Sequence, residues 1–286
     1  MSVQITTAFV NQFSSNIQML SQQMGSLLRN AVDVETVNGE KAFFDQVGSA
    51  AAVLRTTRHA DTPLIDTPHS RRMVTMSDYE YADLIDDQDK VRLLVDPTST
   101  YARAAAAAMG RAMDDVIIAA ALGTSLTGKD GTTSTPFDSN NQIAVNATGL
   151  TLAKLLEAKE ILDSNDVDPS IPRYIACSPK QISDLLNDSD VTSADFNTVR
   201  ALVKGELDTY VGFKFITTNR LGVDGSNDRR VFAWAMDGIK LAVGKEPTAR
   251  IDERADKSYA TQVYYCMSIG ATRMEEAKVV EILCNE

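Results

Sequence analysis

Hydrophobic positions recur three or four residues apart at the start of the chain, where Ile5, Phe9, Phe13, Ile17, Leu20, Met24, Leu27 and Leu28 interrupt a background of Gln, Ser and Asn. That spacing predicts an amphipathic helical arm over residues 2–32. Gly25 and the many Ser and Asn residues make it a weak autonomous helix, so its apolar stripe is expected to dock on another surface. An ordinary packed N-terminal helix would carry the same pattern.

The pattern then breaks. Between residues 48 and 77, Arg55, Arg58, His59, Pro63, Pro68, His69, Arg71 and Arg72 cut the apolar runs short. This predicts an extended two-stranded excursion with little core of its own, and long coreless segments in compact domains usually bind something. A capped helix follows, with Asp96 as N-cap, Pro97 at the first helical position, an Ala-rich run to Leu122 and Gly123 behind it. Residues 97–122 would form a rod about 39 Å long. Tyr101, Ala105, Ala108, Met109, Ala112, Val116 and Ala120 are expected on its buried face, with Arg103, Arg111, Asp114 and Asp115 mainly elsewhere.

Residues 123–149 are rich in Gly, Thr, Ser and Asn and read as a surface connection. Helices are predicted over 151–162, 179–186 and 196–207, and strands over 173–177 and 213–217. Val231–Met236 and Ile239–Val243 flank Asp237-Gly238, a strong two-residue hairpin signal. Strands over 249–252, 261–271 and 278–284, the middle one alternating Val263, Tyr265, Met267 and Ile269, are expected to form a long sheet beside the Ala-rich helix. The whole reads as an α+β chain.

Composition narrows the function. Lys and Arg total 28 against 39 Asp and Glu, a net charge of −11, which opposes sequence-independent attraction to phosphate backbones. Three widely spaced cysteines, Cys177, Cys266 and Cys284, suggest neither a disulfide framework nor a zinc site. No stretch approaches the roughly 18 apolar residues of a membrane span, and no secretory leader opens the chain, so a product that stays in solution is expected. The charges are segregated: residues 48–77 sum to +2, whereas 78–96 hold seven acidic residues, including Asp83, Asp86 and Asp87, and sum to −5. Such patches could meet between neighbouring copies, or both could simply be solvated.

Catalytic signals are weak. Gly123-Thr-Ser-Leu-Thr-Gly128-Lys129 has the GxxxxGK spacing, but Asp130 stands where a Ser or Thr should meet magnesium, and these glycines close a helix rather than open one. Asp163, Asn165, Asp166 and Asp168 resemble a calcium-loop fragment without its Gly and terminal Glu, and read as a helix-end turn. Only His59 and His69 are available as imidazole bases, with no nucleophile motif near them. No catalytic, cofactor or metal residue is assigned.

The order of arm, long basic loop, acidic segment, capped Ala-rich helix, α+β lobe and returning strands resembles the major capsid proteins of tailed bacteriophages. That fold is shared with herpesvirus capsid floors and encapsulins. The most specific stretches are Thr62-Pro-Leu-Ile-Asp-Thr-Pro-His69 leading into Arg71-Arg-Met-Val, Asp96-Pro-Thr-Ser-Thr-Tyr-Ala-Arg103, and Ala233-Trp-Ala-Met-Asp-Gly-Ile-Lys240.

The resemblance implies a tailed-phage major capsid fold with an N-terminal arm (1–35) and an extended β-hairpin loop (48–77). It adds a peripheral domain with a long spine helix (36–47, 78–134 and 245–286) and an axial domain (135–244). It implies a non-enzymatic subunit that assembles as hexamers and pentamers into an icosahedral head around double-stranded DNA, made in the host bacterial cytoplasm and resident in the virion. A separate scaffolding protein, a portal and a cement protein would be its partners. Arg55, Arg58, Arg71 and Arg72 are expected to dock on a neighbour's Asp83, Asp86 and Asp87. Some relatives link a loop lysine to a neighbour's asparagine, but no lysine lies between Lys41 and Lys90, so noncovalent contacts are expected instead. The rival readings are an encapsulin-like compartment shell and a soluble oligomeric enzyme using loop 123–130 for phosphate.

Overall fold

The computed structural model describes residues 22–59, 61, 62, 64–85, 98–187 and 209–286. The predicted helix over 196–207, the capping residues Asp96 and Pro97, and most of the arm lie outside the described residues. Two compact units divide the chain. One comprises Met1–Ser26, Asp78–Ala112 and Lys245–Ser268; the other comprises Leu27–Ser77, Met113–Gly244 and Ile269–Glu286.

The larger unit is built on a six-stranded mixed sheet. Its strands are β7 (Gln142–Ile143), β8 (Arg173–Cys177), β9 (Thr209–Tyr210), β10 (Phe213–Thr217), β11 (Arg229–Ala235) and β14 (Val279–Cys284), in the order β7-β14-β11-β8-β10-β9. Central strand β11 is buried from Val231 to Ala235, which explains its unbroken apolar run: a strand covered on both faces has no polar alternation. Trp234 is fully buried, stacks between Phe232 and Tyr174, and donates its indole N–H to the Ala31 carbonyl at 2.8 Å.

Two expectations are corrected here. Asp237-Gly238 does not close a hairpin, because β11 already has β14 on one edge and β8 on the other. Residues 236–238 form a 3₁₀ turn that hands the chain to β12 (Ile239–Arg254) in a different sheet. The last strand, β14, likewise joins the six-stranded sheet instead of the sheet of long strands, pairing antiparallel with β11 and parallel with β7.

Helix α2 (Leu152–Ser164) covers β14 and β7 of this sheet. Thr151 caps it, accepting the Lys154 N–H at 3.4 Å. The Lys154 side chain is itself buried, and its ammonium donates to four backbone carbonyls, those of Val145, Thr148, Gly149 and Leu283, at 2.9–3.0 Å. A second short helix, α3 (Pro179–Asn187), follows β8.

The same unit holds a four-stranded sheet of β2 (Lys41–Val47), β3 (His69–Thr75), β5 (Ser125–Thr127) and β6 (Thr133–Thr135). Beneath it Phe44, Val74 and Ala242 form a small core. β1 (Asp33–Thr36) runs parallel to Lys240–Val243 of β12.

The smaller unit contains the long strands. β4 (Ser77–Ile85) lies beside β13 (Ala260–Arg273), which lies beside β12. Of the stripe predicted on β13, Val263, Met267 and Ile269 are buried, while Tyr265 is only half-buried, as are Tyr264 and Cys266.

The Ala-rich helix α1 (Thr98–Leu122) has 25 residues and spans about 37 Å. Its buried stripe differs from the predicted one, running through Ala105, Met109, Met113, Ile117 and Ala121, while Tyr101 is exposed. The reason is Asp114. This carboxylate is fully buried and accepts the backbone N–H groups of Leu27 and Leu28, each at 3.1 Å, which turns that side of the helix inward.

The described end of the arm is not helical. Residues 22–28 are irregular, with a 3₁₀ turn at Arg29–Ala31. The chain crosses α1 at Gly110, where an added Cβ would sit 2.3 Å from the Gly25 carbonyl carbon, and Arg111 donates to Gln22 and to the Gln23 carbonyl. Gly110→Ala should therefore displace residues 22–26 and destabilise the protein by about 1–3 kcal/mol. Hydrogen exchange should show faster amide exchange at residues 23–28 with the rest of the chain unchanged.

Candidate assembly interface

Strands β2 and β3 pair antiparallel from Lys41↔Thr75 to Val47↔His69. The ladder thus begins before residue 48, and the described residues between 48 and 68 carry no strand. The Gly48 N–H donates to the Pro68 carbonyl at 2.8 Å and closes the neck of this loop. Beyond the neck the apolar side chains have no core: Leu64 is 100% exposed, Leu54 84% and Val53 60%. Arg55 and Arg58 are exposed between them. Several large apolar groups exposed on one segment mark a surface that another protein can cover.

The four loop arginines separate into two pairs. Adjacent residues on a strand point to opposite faces, so Arg71 and Arg72 cannot share one docking surface. Arg71 reaches Asp45 across the ladder, with Nε 2.5 Å from one carboxylate oxygen and Nη2 3.2 Å from the other, and lies over the Phe43 ring. That guanidinium holds the exposed Asp45 carboxyl below the usual aspartate range. Arg72 faces the interior at 7% exposure, donating Nε to the Met274 carbonyl at 2.8 Å and Nη2 to Glu276 at 2.5 Å. Arg273 is also fully buried beside Glu276; it ties the C-terminal carbonyls of α1, Ala121 and Gly123, at 2.8 and 2.7 Å. Both Arg71 and Arg72 are thus held by carboxylates of the same chain, whereas Arg55, whose Nε donates to the Thr57 carbonyl at 3.0 Å, and Arg58 are exposed without a carboxylate partner among the described residues.

On the acidic side, Asp83 lies on β4, half-buried, and accepts the N–H of Leu84 at 2.9 Å. Asp78 and Glu80 are exposed on the same strand, and Glu80 accepts the Tyr264 hydroxyl at 2.9 Å. Asp86 and Asp87 lie outside the described residues.

The remaining chemical candidates fall on structural elements. Gly128, with φ +92°, turns β5 into β6, so the glycine-lysine segment is followed by a strand and presents no helix N-terminus to a phosphate. Asp163 pairs with Arg173 at 2.6 Å, Asn165 caps α2, and Asp168 accepts the Ser170 N–H at 2.8 Å. His59 lies in the loop and His69 at the start of β3. Among the described residues no group of three or more His, Cys, Asp or Glu side chains could hold a metal ion, and no helix is long and apolar enough to cross a membrane.

Sequence reasoning missed the exposed leucines. Their signal was available: Leu54, Leu64 and Ile65 are apolar residues inside a stretch already recognised as too short of hydrophobic groups to form a core.

No curated protein matches the chain. Solved structures do. The capsid of the cyanophage P-SCSP1u aligns with a TM-score of 0.77 at 16% identity, covering 99% of this chain and 94% of that one. The capsid of Ralstonia phage GP4 gives 0.73 at 11% identity, with 97% and 96% covered. The acid-stable capsid of the Helicobacter pylori bacteriophage KHP30 gives 0.73 at 11%, with 99% and 97% covered. At such identities these likenesses establish the fold. A family model described as phage capsid protein matches residues 5–286. That match spans nearly the whole sequence, and the chain belongs to the phage capsid protein family.

Proposed function

We propose that this chain is the shell-forming subunit of a tailed-phage head, assembling as hexamers and pentamers into an icosahedral capsid around double-stranded DNA. The observation that carries the reading is the loop at residues 48–68: a family member whose most exposed apolar side chains, Leu54 and Leu64, sit on a segment with no core of its own. In a shell, the neighbouring copy supplies the missing core. Leu54 and Leu64 act as anchors, and Arg55 and Arg58 meet the neighbour's acidic stretch at Asp78, Asp83, Asp86 and Asp87. Arg71 and Arg72 hold the base of the loop in shape for that contact.

The subunit has a structural role and performs no catalysis of its own. Its net charge of −11 suits a container that encloses DNA without gripping it. Assembly takes place in the host bacterial cytoplasm with a separate scaffolding protein and a portal, and a cement protein reinforces the finished head. Negative-stain electron microscopy and light scattering on the purified protein, with and without a co-expressed candidate scaffold, test the reading. Rings or closed shells are the expected result; a discrete small oligomer under both conditions would overturn it.

A further inference from the structure

Strands β12 and β13 place two reactive side chains side by side on the outward face of the smaller unit: Lys245 Nζ lies 2.9 Å from Cys266 Sγ. Lys245 is exposed and, among the described residues, has no carboxylate partner, so the thiol is its polar neighbour. Cys266 is half-buried and reachable from solvent. The other cysteines differ. Cys177 and Cys284 are buried in the larger unit, and burial pushes both thiols up to about 12, leaving them inert at neutral pH. Tyr264, two residues before Cys266 on the same face, is held by Glu80, so that side of the thiol is lined by a fixed phenol. The amine and sulfur therefore sit within bonding reach on two paired strands, with no backbone movement needed to bring them together.

We propose that Lys245 and Cys266 form a reversible covalent link when the protein meets a peroxide. Hydrogen peroxide oxidises the thiol to a sulfenic acid and releases one water. The neutral amine of Lys245 then attacks the sulfenyl sulfur; an S–N bond forms, the hydroxyl leaves, and with a proton from the amine it departs as a second water. Sulfur loses two electrons and the peroxide gains them. Sulfenic acids are known to condense with a nearby nitrogen in this way, and thiols reverse the step. A reducing cytosol keeps the pair open and an oxidising medium closes it. The closed form clips β12 to β13, shutting the hairpin between them into a covalent ring. This link is intramolecular and does not depend on the assembly reading.

The test uses the purified full-length protein. After peroxide treatment and alkylation of remaining thiols, it is digested with a protease that spares lysine, and the peptides are read by mass spectrometry. The expected product is a linked pair carrying Lys245 and Cys266, lighter than the separate peptides by two hydrogens, that disappears on reduction with a thiol. It should be lost in Cys266→Ser and in Lys245→Arg, which keeps the positive charge but cannot make this bond. Capture of the Cys266 sulfenic acid by dimedone without any linked pair would overturn the proposal. So would a Cys266–Cys266 disulfide between copies in its place, or equal yield of the link in Lys245→Arg.

Discussion

The double variant Leu54→Asp, Leu64→Asp should fold as the parent does and form neither rings nor shells. Both side chains stand almost wholly in water within the isolated chain, so replacing them removes no intrachain packing, and surface changes of this kind stay within about 0.5 kcal/mol. On the proposed assembly each leucine fills a neighbour's pocket, where an anchor residue contributes about 2 kcal/mol or more. Two such losses weaken every copy-to-copy contact by roughly a thousandfold, since each 1.4 kcal/mol is tenfold. A carboxylate forced into an apolar pocket adds its own desolvation penalty, and the new negative charges face an already acidic neighbour. Circular dichroism and thermal melting should match the parent, while electron microscopy should show only small species. Shells at the parental yield would remove the leucines from the interface. Arg55→Glu with Arg58→Glu should give a milder, salt-dependent defect, slowing assembly more than it weakens the final contact.

The second large effect lies in the interior of the larger unit. Lys154→Met should destabilise the larger unit by about 3 kcal/mol, since a buried acceptor left unsatisfied costs about 1–3 kcal/mol. Methionine keeps the aliphatic stem and removes the ammonium, leaving the carbonyls of Val145, Thr148, Gly149 and Leu283 without the donor they now share. Those four groups come from the loop before α2 and from β14, so a single cation joins segments more than a hundred residues apart in sequence. Burial pulls its pKa below the ordinary lysine value, while the ring of carbonyl oxygens favours the charged form. Urea denaturation of the variant should show a lowered midpoint with an unchanged slope. A midpoint equal to the parent's would show that water or a neighbouring donor replaces the ammonium at no cost.

Much of this molecule was legible in the order of its residues. The Ala-rich run of α1, the start of α2 near residue 151 and the apolar run of β11 are local signals, each set by residues within a few positions of one another. The segregation of basic and acidic stretches and the shortage of core-forming residues over 48–77 are likewise properties of the chain read in line. Together they pointed to a subunit completed by its neighbours. They also showed why the glycine-lysine segment was a poor phosphate site, since the helix precedes it.

What the sequence could not decide was every feature that depends on which strand a segment finds as its neighbour. Asp237-Gly238 has the composition of a tight hairpin, yet β11 takes β14 and β8 as partners, and its unpaired continuation must leave for another sheet. The burial of Asp114, which rotates the inward face of α1, follows from two N–H groups of a segment 86 and 87 residues away. Arg71 and Arg72 look alike in line, but the pleat sends one to Asp45 on the surface and the other into the interior against Glu276. Lys154 is buried on α2 because its ammonium meets the carbonyl of Leu283 on β14, 129 residues away. Local propensity is written in neighbouring residues; partner choice, burial of charge and the pairing of Lys245 with Cys266 arise only when distant segments compete for the same backbone hydrogen bonds and the same shelter from water.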